Sequence, residues 1–310
     1  ERAFQKELGA DCSTPMGIFT EIDQDQITLT GSMAFDKDDK INYQKVSGNI
    51  SDRINLAQKL ARNLKKKSYK KIILAGAGIG SKNNITLAVK KALDKADVII
   101  YDRLLNQEIL DPYRNKDLYY VGKSMGDHVL SQDDINKLMV DKAKTGKKVV
   151  RLKGGDPYVF GRGSEEALFI KENGLEFETL PGLTSGIVCL NTAGIPASHR
   201  NMATSISFIT GHRSENKNED FKKYAKLPGT LVFYMGLKNL PNIIKDLIDG
   251  GIKKDKKIAI ISNGSSPKQK VYTSTIEKVL EEIDLEKIER PAIIVVSDTV
   301  GLREKNRPNS

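Results

Sequence analysis

Hydrophobic and polar positions divide the chain into a short first part and a longer second part. Before residue 70, an apolar helical spacing predicts a helix over residues 1–8, which Gly9 ends. Alternating apolar and polar positions predict three strands, over residues 18–22, 26–30 and 41–46. An amphipathic stretch predicts a helix over residues 50–64. A polar run at 65–68 predicts a linker. We therefore expect a small α+β domain over residues 1–67.

After residue 70, β-branched runs alternate with helical patterns. The first group of predicted strands covers residues 72–75, 98–101, 118–121, 149–152 and 177–180. One helix is predicted over residues 85–94, and a second after a cap at Ser131. A third helix is predicted to begin at Ser164, where Glu165 and Glu166 complement the helix dipole. Strands that alternate with helices indicate a parallel sheet whose loops share one edge.

A second group of elements begins near residues 195–196. Strands are predicted over 205–210, 231–234, 258–261 and 293–296, and helices over 240–247 and 276–283. The predicted fold class is therefore α/β, with an N-terminal lobe over residues 70–190 and a C-terminal lobe over 191–303. A cleft between two such lobes is a common place for a small ligand.

Composition narrows the classes of partner. A chain of 310 residues is long enough for two or three domains. Its net charge of +10 comes without tryptophan or an arginine-rich tract, so a nucleic-acid partner is unsupported, and a polyanionic small substrate fits the charge equally well. No apolar run reaches the roughly 18 residues of a membrane helix, and no signal peptide opens the chain, so we expect a cytoplasmic protein without a membrane partner.

Cysteine and histidine give no sign of a metal site. Cys12 and Cys189 are far apart and suggest neither a disulfide nor a metal framework. The three histidines, His128, His199 and His212, follow no metal-ligand spacing. We therefore predict no metal.

A glycine-rich loop follows the fourth strand of the first lobe. Residues 153–163 read KGGDPYVFGRG, with four glycines between a predicted strand and a predicted helix. Glycine lets the backbone come close to a ligand, and loops after the strands of an open α/β sheet are its usual binding sites. A tight structural turn is the alternative, but the density of glycines favours a binding loop.

A second glycine loop, Gly76-Ala-Gly78, suggests dinucleotide binding, because Asp102 ends the next predicted strand. The third glycine of that motif is replaced by Ser81, and a phosphate loop would need glycine, not Ser81, before Lys82. A nicotinamide-dependent oxidoreductase is thus a second hypothesis from the spacing alone.

Taken together, the motifs of the longer part resemble the uroporphyrinogen-III C-methyltransferases of the tetrapyrrole methylase superfamily. The matching segments occur in family order: GAGIG (76–80), YDRL (101–104), VGK (121–123), residues 153–163, PGLTS (181–185), GIP (194–196), HR (199–200), TGH (210–212), YMGL (234–237) and NG (263–264). The first motif departs from the family, which usually has proline at Ile79 and aspartate at Ser81. The change at Ile79 puts the affinity for the cofactor in question.

The resemblance implies a homodimer that holds S-adenosyl-L-methionine between two α/β lobes. It implies transfer of two methyl groups to ring carbons of uroporphyrinogen III, giving precorrin-1 and then precorrin-2, on the branch toward sirohaem and cobalamin. Matched residue by residue, the implied cofactor contacts are Ile79, Gly154, Gly155, Asp156, Val159, Thr184, Ser185, Met235 and Gly264. Asp102 is the implied acid–base residue and Lys123 a second active-site residue. Basic residues should capture the substrate carboxylates, and the candidates are Arg103, Arg151, Arg162 and Arg200.

The first part resembles the C-terminal domain of porphobilinogen deaminase (hydroxymethylbilane synthase). The matching residues are ERAF (1–4), Leu8, Cys12 and TPMG (14–17), with Ala10-Asp11 where that family usually has glycines. The resemblance implies that Cys12 is the attachment site of a covalent dipyrromethane cofactor. The deaminase domains that carry the catalytic aspartate do not precede it in this sequence, so we expect no deaminase activity and an unloaded Cys12. A third hypothesis is a non-catalytic module of a haem-pathway fusion protein.

Overall fold

The computed structural model describes residues 1–9, 15–34, 41–68, 70–122, 130–212 and 220–306. Its strands form three sheets, one of three strands and two of five. The α/β fold class predicted for the longer part is confirmed. In the part of the chain that the structure describes, every helix is too short or too polar to cross a bilayer.

The small sheet is antiparallel and has helices on one face. Its elements are α1 (Arg2–Leu8), β1 (Met16–Asp23), β2 (Gln26–Met33), β3 (Asn42–Asn49) and α2 (Arg53–Ser68). Phe4 of α1 and Leu60 and Leu64 of α2 are fully buried in the core that these elements share. Helix α2 continues through residues 65–68, so the predicted linker there is wrong: lysine is a good helix former, and no glycine or proline interrupts the run.

The first five-stranded sheet is entirely parallel. Its elements are β4 (Ile72–Gly76), α3 (Leu87–Lys95), β5 (Val98–Tyr101), β6 (Asp117–Tyr120), α4 (Gln132–Lys144), β7 (Val149–Lys153), α5 (Gly163–Glu172) and β8 (Phe177–Leu180). The strand order is β6-β5-β7-β4-β8. Because all five strands run the same way, the loops after β4, β5, β7 and β8 leave the sheet at one edge.

Helices cover both faces of this parallel sheet. Met139 of α4 and Ile170 of α5 pack on one face, and Val89 and Leu93 of α3 on the other. Ser131 caps α4 with a capping box, as predicted. Helix α5 begins one residue before Ser164, without a side-chain cap.

The second five-stranded sheet is mixed. Its elements are α6 (Ser185–Thr192), β9 (Ile206–Thr210), β10 (Thr230–Tyr234), α7 (Leu240–Asp249), β11 (Lys257–Ser262), β12 (Lys270–Thr275), α8 (Val279–Glu282), β13 (Ala292–Val296) and α9 (Arg303–Asn306). In the order β12-β11-β13-β10-β9, only β9 and β10 pair in parallel among the described strands. Strand β12 was not predicted, and α8 is much shorter than the helix predicted over 276–283.

Helix α6 connects the two large sheets. It spans the position 190/191 that was predicted as the lobe boundary. Cys189 and Leu190 of α6 are buried against Val232 and Ile261 of the second sheet. The chain therefore enters the second core before it enters the second sheet, and α6 brings the loop after β8 close to strand β10.

Candidate functional site

Three glycine-bearing loops meet at the carboxyl edge of the parallel sheet. Gly155, after β7, donates its N–H to the carbonyl of Gly78, after β4, at 2.8 Å, and accepts the N–H of Gly78 at 3.2 Å. The loop after β8 lies directly on this pair, because a methyl group at Gly182 would overlap the carbonyl oxygen of Gly155 and the backbone of Gly76. Only residues without a side chain allow the three backbones to approach this closely.

Asp156 joins the loops after β7 and β8 by hydrogen bonds. Its Oδ2 accepts the N–H of Gly182 at 3.0 Å, and its Oδ1 accepts the N–H of Tyr158 at 2.8 Å. Both carboxylate oxygens therefore fix the backbone, and each keeps a lone pair for a further donor.

Gly155 lies at the centre of a group of residues from three loops, here called the cradle. A methyl group at Gly155 would make ordinary van der Waals contacts, 3.9 Å from Cγ2 of Ile79 and 4.0 Å from Cα of Thr184. Ile79, Gly155 and Thr184 come from three different loops, and all three were predicted cofactor contacts. The structure brings them together, with Gly155 buried and Ile79 and Thr184 half-buried.

The second sheet contributes the end of strand β10. The phenol oxygen of Tyr234 lies 2.8 Å from Oγ1 of Thr184 and accepts the N–H of Gly186 at 2.7 Å. Burial raises the pKa of this phenol, so it stays protonated near neutral pH. The next residue, Met235, has a φ of 57° and is 55% exposed. A left-handed conformation is uncommon for a residue with a side chain, and such outliers cluster at ligand sites.

The loop after β11 reaches the first glycine loop. The Nδ2 of Asn84 donates to the carbonyl of Ile79 at 2.8 Å and to Oγ of Ser265 at 2.9 Å. Gly80 packs so closely on Ser265 that a methyl group there would overlap the Ser265 carbonyl. Gly264, a predicted contact, is therefore adjacent to a residue that is hydrogen-bonded to the Ile79 loop.

Asp102 stands just after strand β5 at the same edge. Its Oδ1 accepts the N–H of Leu104 at 3.2 Å, its Oδ2 lies 3.6 Å from Nη2 of Arg151, and its side chain is 26% exposed. Leu104, itself 59% exposed, lies against Gly154. The candidate base is thus connected to the glycine-rich loop through one apolar residue.

Two of the four arginines proposed for substrate capture have other roles. Arg151 is only 3% exposed, because it lies under the sheet edge and bonds to Glu166 at 3.1 Å. Its selection as a cleft residue was wrong. Arg162 is exposed, but its guanidinium forms an ion pair with Glu165 at 2.6 Å. Arg103 and Arg200 are exposed and remain candidates.

The other predicted residues have varied placements. Val159 and Ile79 each pack against the core beside the second sheet, and Ser185 is the first residue of helix α6. Lys123, Cys12 and His128 lie outside the described residues. Among the residues with described positions, no three His, Cys, Asp or Glu side chains are grouped to hold a metal ion.

Several residues at the site were not predicted as contacts: Leu104, Phe160, Tyr234, Asn84 and Ser265. Phe160 has a φ of 54° and its ring lies 4.9 Å from that of Tyr234. The aromatic residue in the glycine-rich loop was visible in the sequence, but its partner on β10 was not. A tyrosine that ends a buried strand gives no local sign of the hydroxyl contacts that it makes.

Comparison with known proteins agrees with this architecture. Residues 71–280 match the family described as tetrapyrrole (corrin/porphyrin) methylases, and residues 1–66 match the C-terminal domain of porphobilinogen deaminase. A uroporphyrinogen-III C-methyltransferase of Methanocaldococcus jannaschii is 44% identical over 75% of this chain and 97% of its own length. That of Bacillus subtilis is 43% identical over 76% of this chain and 93% of its own length.

A solved structure is similar in fold as well as in sequence. It is the uroporphyrin-III C-methyl transferase of Thermus thermophilus complexed with S-adenyl homocysteine, which is 32% identical and superimposes with a TM-score of 0.66. The alignment covers 75% of this chain and 100% of that one. With the family match extending over residues 71–280, the chain belongs to the tetrapyrrole methylase family.

Proposed function

We propose that this chain is an S-adenosylmethionine-dependent methyltransferase that methylates two ring carbons of uroporphyrinogen III. The products would be precorrin-1 and then precorrin-2, the precursors of sirohaem and cobalamin. The observation that carries the proposal is the cradle at Gly155, where Ile79 and Thr184, from two other loops, lie within 4.0 Å of the position of an added methyl group. Relatives of the same family that are named uroporphyrinogen-III C-methyltransferase support the choice of substrate.

The residues of the site fit a nucleoside with an amino-acid tail. The backbone of Gly154 is half-buried, and Ile79, Val159 and Met235 offer apolar surface. When bound, S-adenosylmethionine supplies an already activated methyl group on a sulfonium. The task of the protein is then mainly to align donor and acceptor, for which loops fixed by Asp156 and Tyr234 are suited.

Asp102 is proposed as the general base. Loss of a pyrrole N–H proton makes the acceptor carbon more nucleophilic, and a carboxylate at the sheet edge can accept that proton. The carboxylate is partly exposed toward the edge, and the N–H of Leu104 fixes one of its oxygens. Lys123 is proposed as a second active-site residue, and Arg103 and Arg200 as ligands of the substrate carboxylates.

The oxidoreductase hypothesis has less support. In a dinucleotide-binding fold, the strand that bears the ribose-binding acid lies beside the strand that precedes the glycine loop. Here β7 lies between β4 and β5, so Asp102 is separated from the Gly76 loop by a whole strand. No contact described above favours a nicotinamide cofactor.

We also propose a cytoplasmic homodimer with domains over residues 1–67, 70–190 and 191–303. Cys12 is proposed as a dipyrromethane attachment site in a complete deaminase.

Anaerobic turnover with mass detection tests the proposed function directly. The purified chain, uroporphyrinogen III and S-adenosylmethionine should give products heavier by one and then two methyl groups. Absence of both products would favour the non-catalytic module of a fusion protein. Calorimetry with S-adenosylhomocysteine and with NADH separates the two cofactor classes, and binding of NADH alone would contradict the proposal.

A further inference from the structure

The first glycine loop, residues 77–86, joins strand β4 to helix α3 and contains two residues in a left-handed conformation. Gly78 has a φ of 69° and Gly80 a φ of 66°. Glycine loses more conformational freedom on folding than any other residue, so a loop that holds two glycines in defined conformations needs several fixed contacts. The backbone of Gly78 is fixed by its two bonds to Gly155. The next part of the loop, which includes Ile79, is fixed by side chains.

Two side-chain amides hold consecutive carbonyls of this loop. Nδ2 of Asn84 donates to the carbonyl of Ile79 at 2.8 Å, and Nδ2 of Asn106 donates to the carbonyl of Gly80 at 2.8 Å. Asn106 lies in the loop after β5, beside the same parallel sheet. Asn84 is half-buried, and its Nδ2 also donates at 2.9 Å to Oγ of Ser265, in the loop after β11 of the second large sheet. Because an amide nitrogen carries two hydrogens, Asn84 can make both bonds at once.

Ser265 is itself fixed from its own side. It has a left-handed φ of 61°, and its N–H donates to Oε1 of Gln269 at 2.6 Å. The hydroxyl of Thr192, the last residue of α6, donates to the same Oε1 at 2.7 Å, and the carbonyl of Thr192 accepts from Nε2 of Gln269 at 3.1 Å. Helix α6 begins directly after Thr184 of the cradle. The hydroxyl that Asn84 contacts therefore belongs to a loop that is bonded to this helix.

We propose that Asn84 is a positioning residue for the cofactor. By joining the carbonyl of Ile79 to the hydroxyl of Ser265, its amide holds the first glycine loop against the loop after β11 and keeps the side chain of Ile79 beside Gly155. The inference rests on the proposed function in taking the cradle as the cofactor site. The effect of Asn84 is indirect, because it acts through the backbone of Ile79.

The expected consequence of losing the amide is a loss of affinity rather than of chemistry. The carbonyl of Ile79 and the hydroxyl of Ser265 would then bond to water, and the loop would populate conformations in which Ile79 lies away from Gly155. Only the molecules with an ordered loop would bind the cofactor tightly, so the apparent Kd would rise as their fraction falls. Once the cofactor is bound the loop is ordered, and the rate of methyl transfer should be unchanged.

Calorimetry with S-adenosylhomocysteine tests the proposal in the full chain. Asn84→Ala should raise the Kd about tenfold, and Ser265→Ala about threefold, because it removes one of the two bonds. The double variant should have the Kd of Asn84→Ala, since the amide that Ser265 accepts from is already absent. Asn83→Ala is the matched control, because this asparagine is exposed and its side chain makes no hydrogen bond to the described residues. A wild-type Kd in Asn84→Ala, or effects that multiply in the double variant, would overturn the proposal.

Steady-state kinetics separates positioning from a loss of folded protein. In Asn84→Ala the KM for S-adenosylmethionine should rise about tenfold, whereas kcat and the KM for uroporphyrinogen III should stay within about twofold of wild type. A variant that merely folds less well has fewer active molecules, so its apparent kcat falls and its KM is unchanged. That second result would contradict the proposal.

Hydrogen exchange of the ligand-free chain gives a measurement that does not depend on activity. The amides of residues 77–86, followed by mass spectrometry, should exchange faster in Asn84→Ala and Ser265→Ala than in wild type, and at the wild-type rate in Asn83→Ala. Unchanged exchange in Asn84→Ala would refute the positioning role. Absence of methylated product and of S-adenosylhomocysteine binding in the wild type would instead refute the proposed function and leave this measurement valid.

Discussion

The phenol oxygen of Tyr234 lies 2.8 Å from the hydroxyl oxygen of Thr184, and this contact joins the two large sheets at the candidate site. Tyr234 ends strand β10 of the second sheet, whereas Thr184 belongs to the loop that follows β8 of the first. The same phenol oxygen accepts the N–H of Gly186 in the first turn of α6. One side chain thus fixes the loop that borders the cradle at Gly155.

Tyr234→Phe should weaken cofactor binding and lower stability. Removal of the hydroxyl leaves the buried N–H of Gly186 without its acceptor, which costs about 1–3 kcal/mol. Calorimetry should show a larger Kd for S-adenosylhomocysteine, and urea unfolding should show a smaller free energy of unfolding. Tyr43→Phe is the control, since Tyr43 is 64% exposed in the small domain. Equal effects of the two substitutions would contradict the assigned role.

The regular elements of the parallel sheet could be predicted closely from the sequence. Strands β4, β5 and β7 are buried β-branched runs, a pattern that is typical of the central strands of a parallel sheet. Strand β12, KVYTST, was missed because it lies at a sheet edge, where polar residues weaken the apolar pattern. Ile276 and Ile283 gave a helical spacing, but both are buried by tertiary packing around a single helical turn.

Gly182→Ala should disrupt the site without disturbing the rest of the fold. Its methyl group would overlap the Gly155 carbonyl and force the loops after β7 and β8 apart. Overpacking of this kind costs about 1–3 kcal/mol, and here the cost falls on the cradle, so binding of S-adenosylhomocysteine should weaken. Gly301→Ala is the matched control, because a methyl group at Gly301 meets no atom within 4 Å. Unchanged binding in Gly182→Ala would show that the cradle is not the cofactor site.

The site residues were predictable only as far as the family motifs extend. Ile79, Gly155 and Thr184 lie in motif loops and were predicted as contacts, and the structure places them next to one another. Arg151 was assigned to the cleft because an arginine beside a binding loop suggests an anion ligand. Its partner Glu166 appears in the sequence only as an acid near a helix start. Tertiary pairing across 15 residues, which no local pattern reveals, turns Arg151 inward.

Cys189 should resist alkylation while the protein is folded. Burial raises the pKa of its thiol to about 12, so the reactive thiolate is scarce at pH 8. In a Cys12→Ser variant, iodoacetamide at pH 8 should label the protein only after unfolding in urea, as followed by mass spectrometry. Labelling should rise steeply as the pH approaches 12. Rapid labelling of the folded variant at pH 8 would show that Cys189 is accessible and more acidic than its surroundings imply.

Asp102→Ala should separate chemistry from binding. In the part of the chain that the structure describes, the carboxylate is joined to the cradle through Leu104 and Gly154, so its loss should leave the Kd of S-adenosylhomocysteine within about twofold of wild type. Loss of a general base lowers kcat by about 10²–10⁴-fold, and anaerobic turnover should show a decrease of this size in both methylations. Asp97→Ala is a control from the start of the same strand, where the carboxylate accepts only the backbone N–H of Lys148 among its described bonds. Full turnover by Asp102→Ala would remove Asp102 from its proposed role.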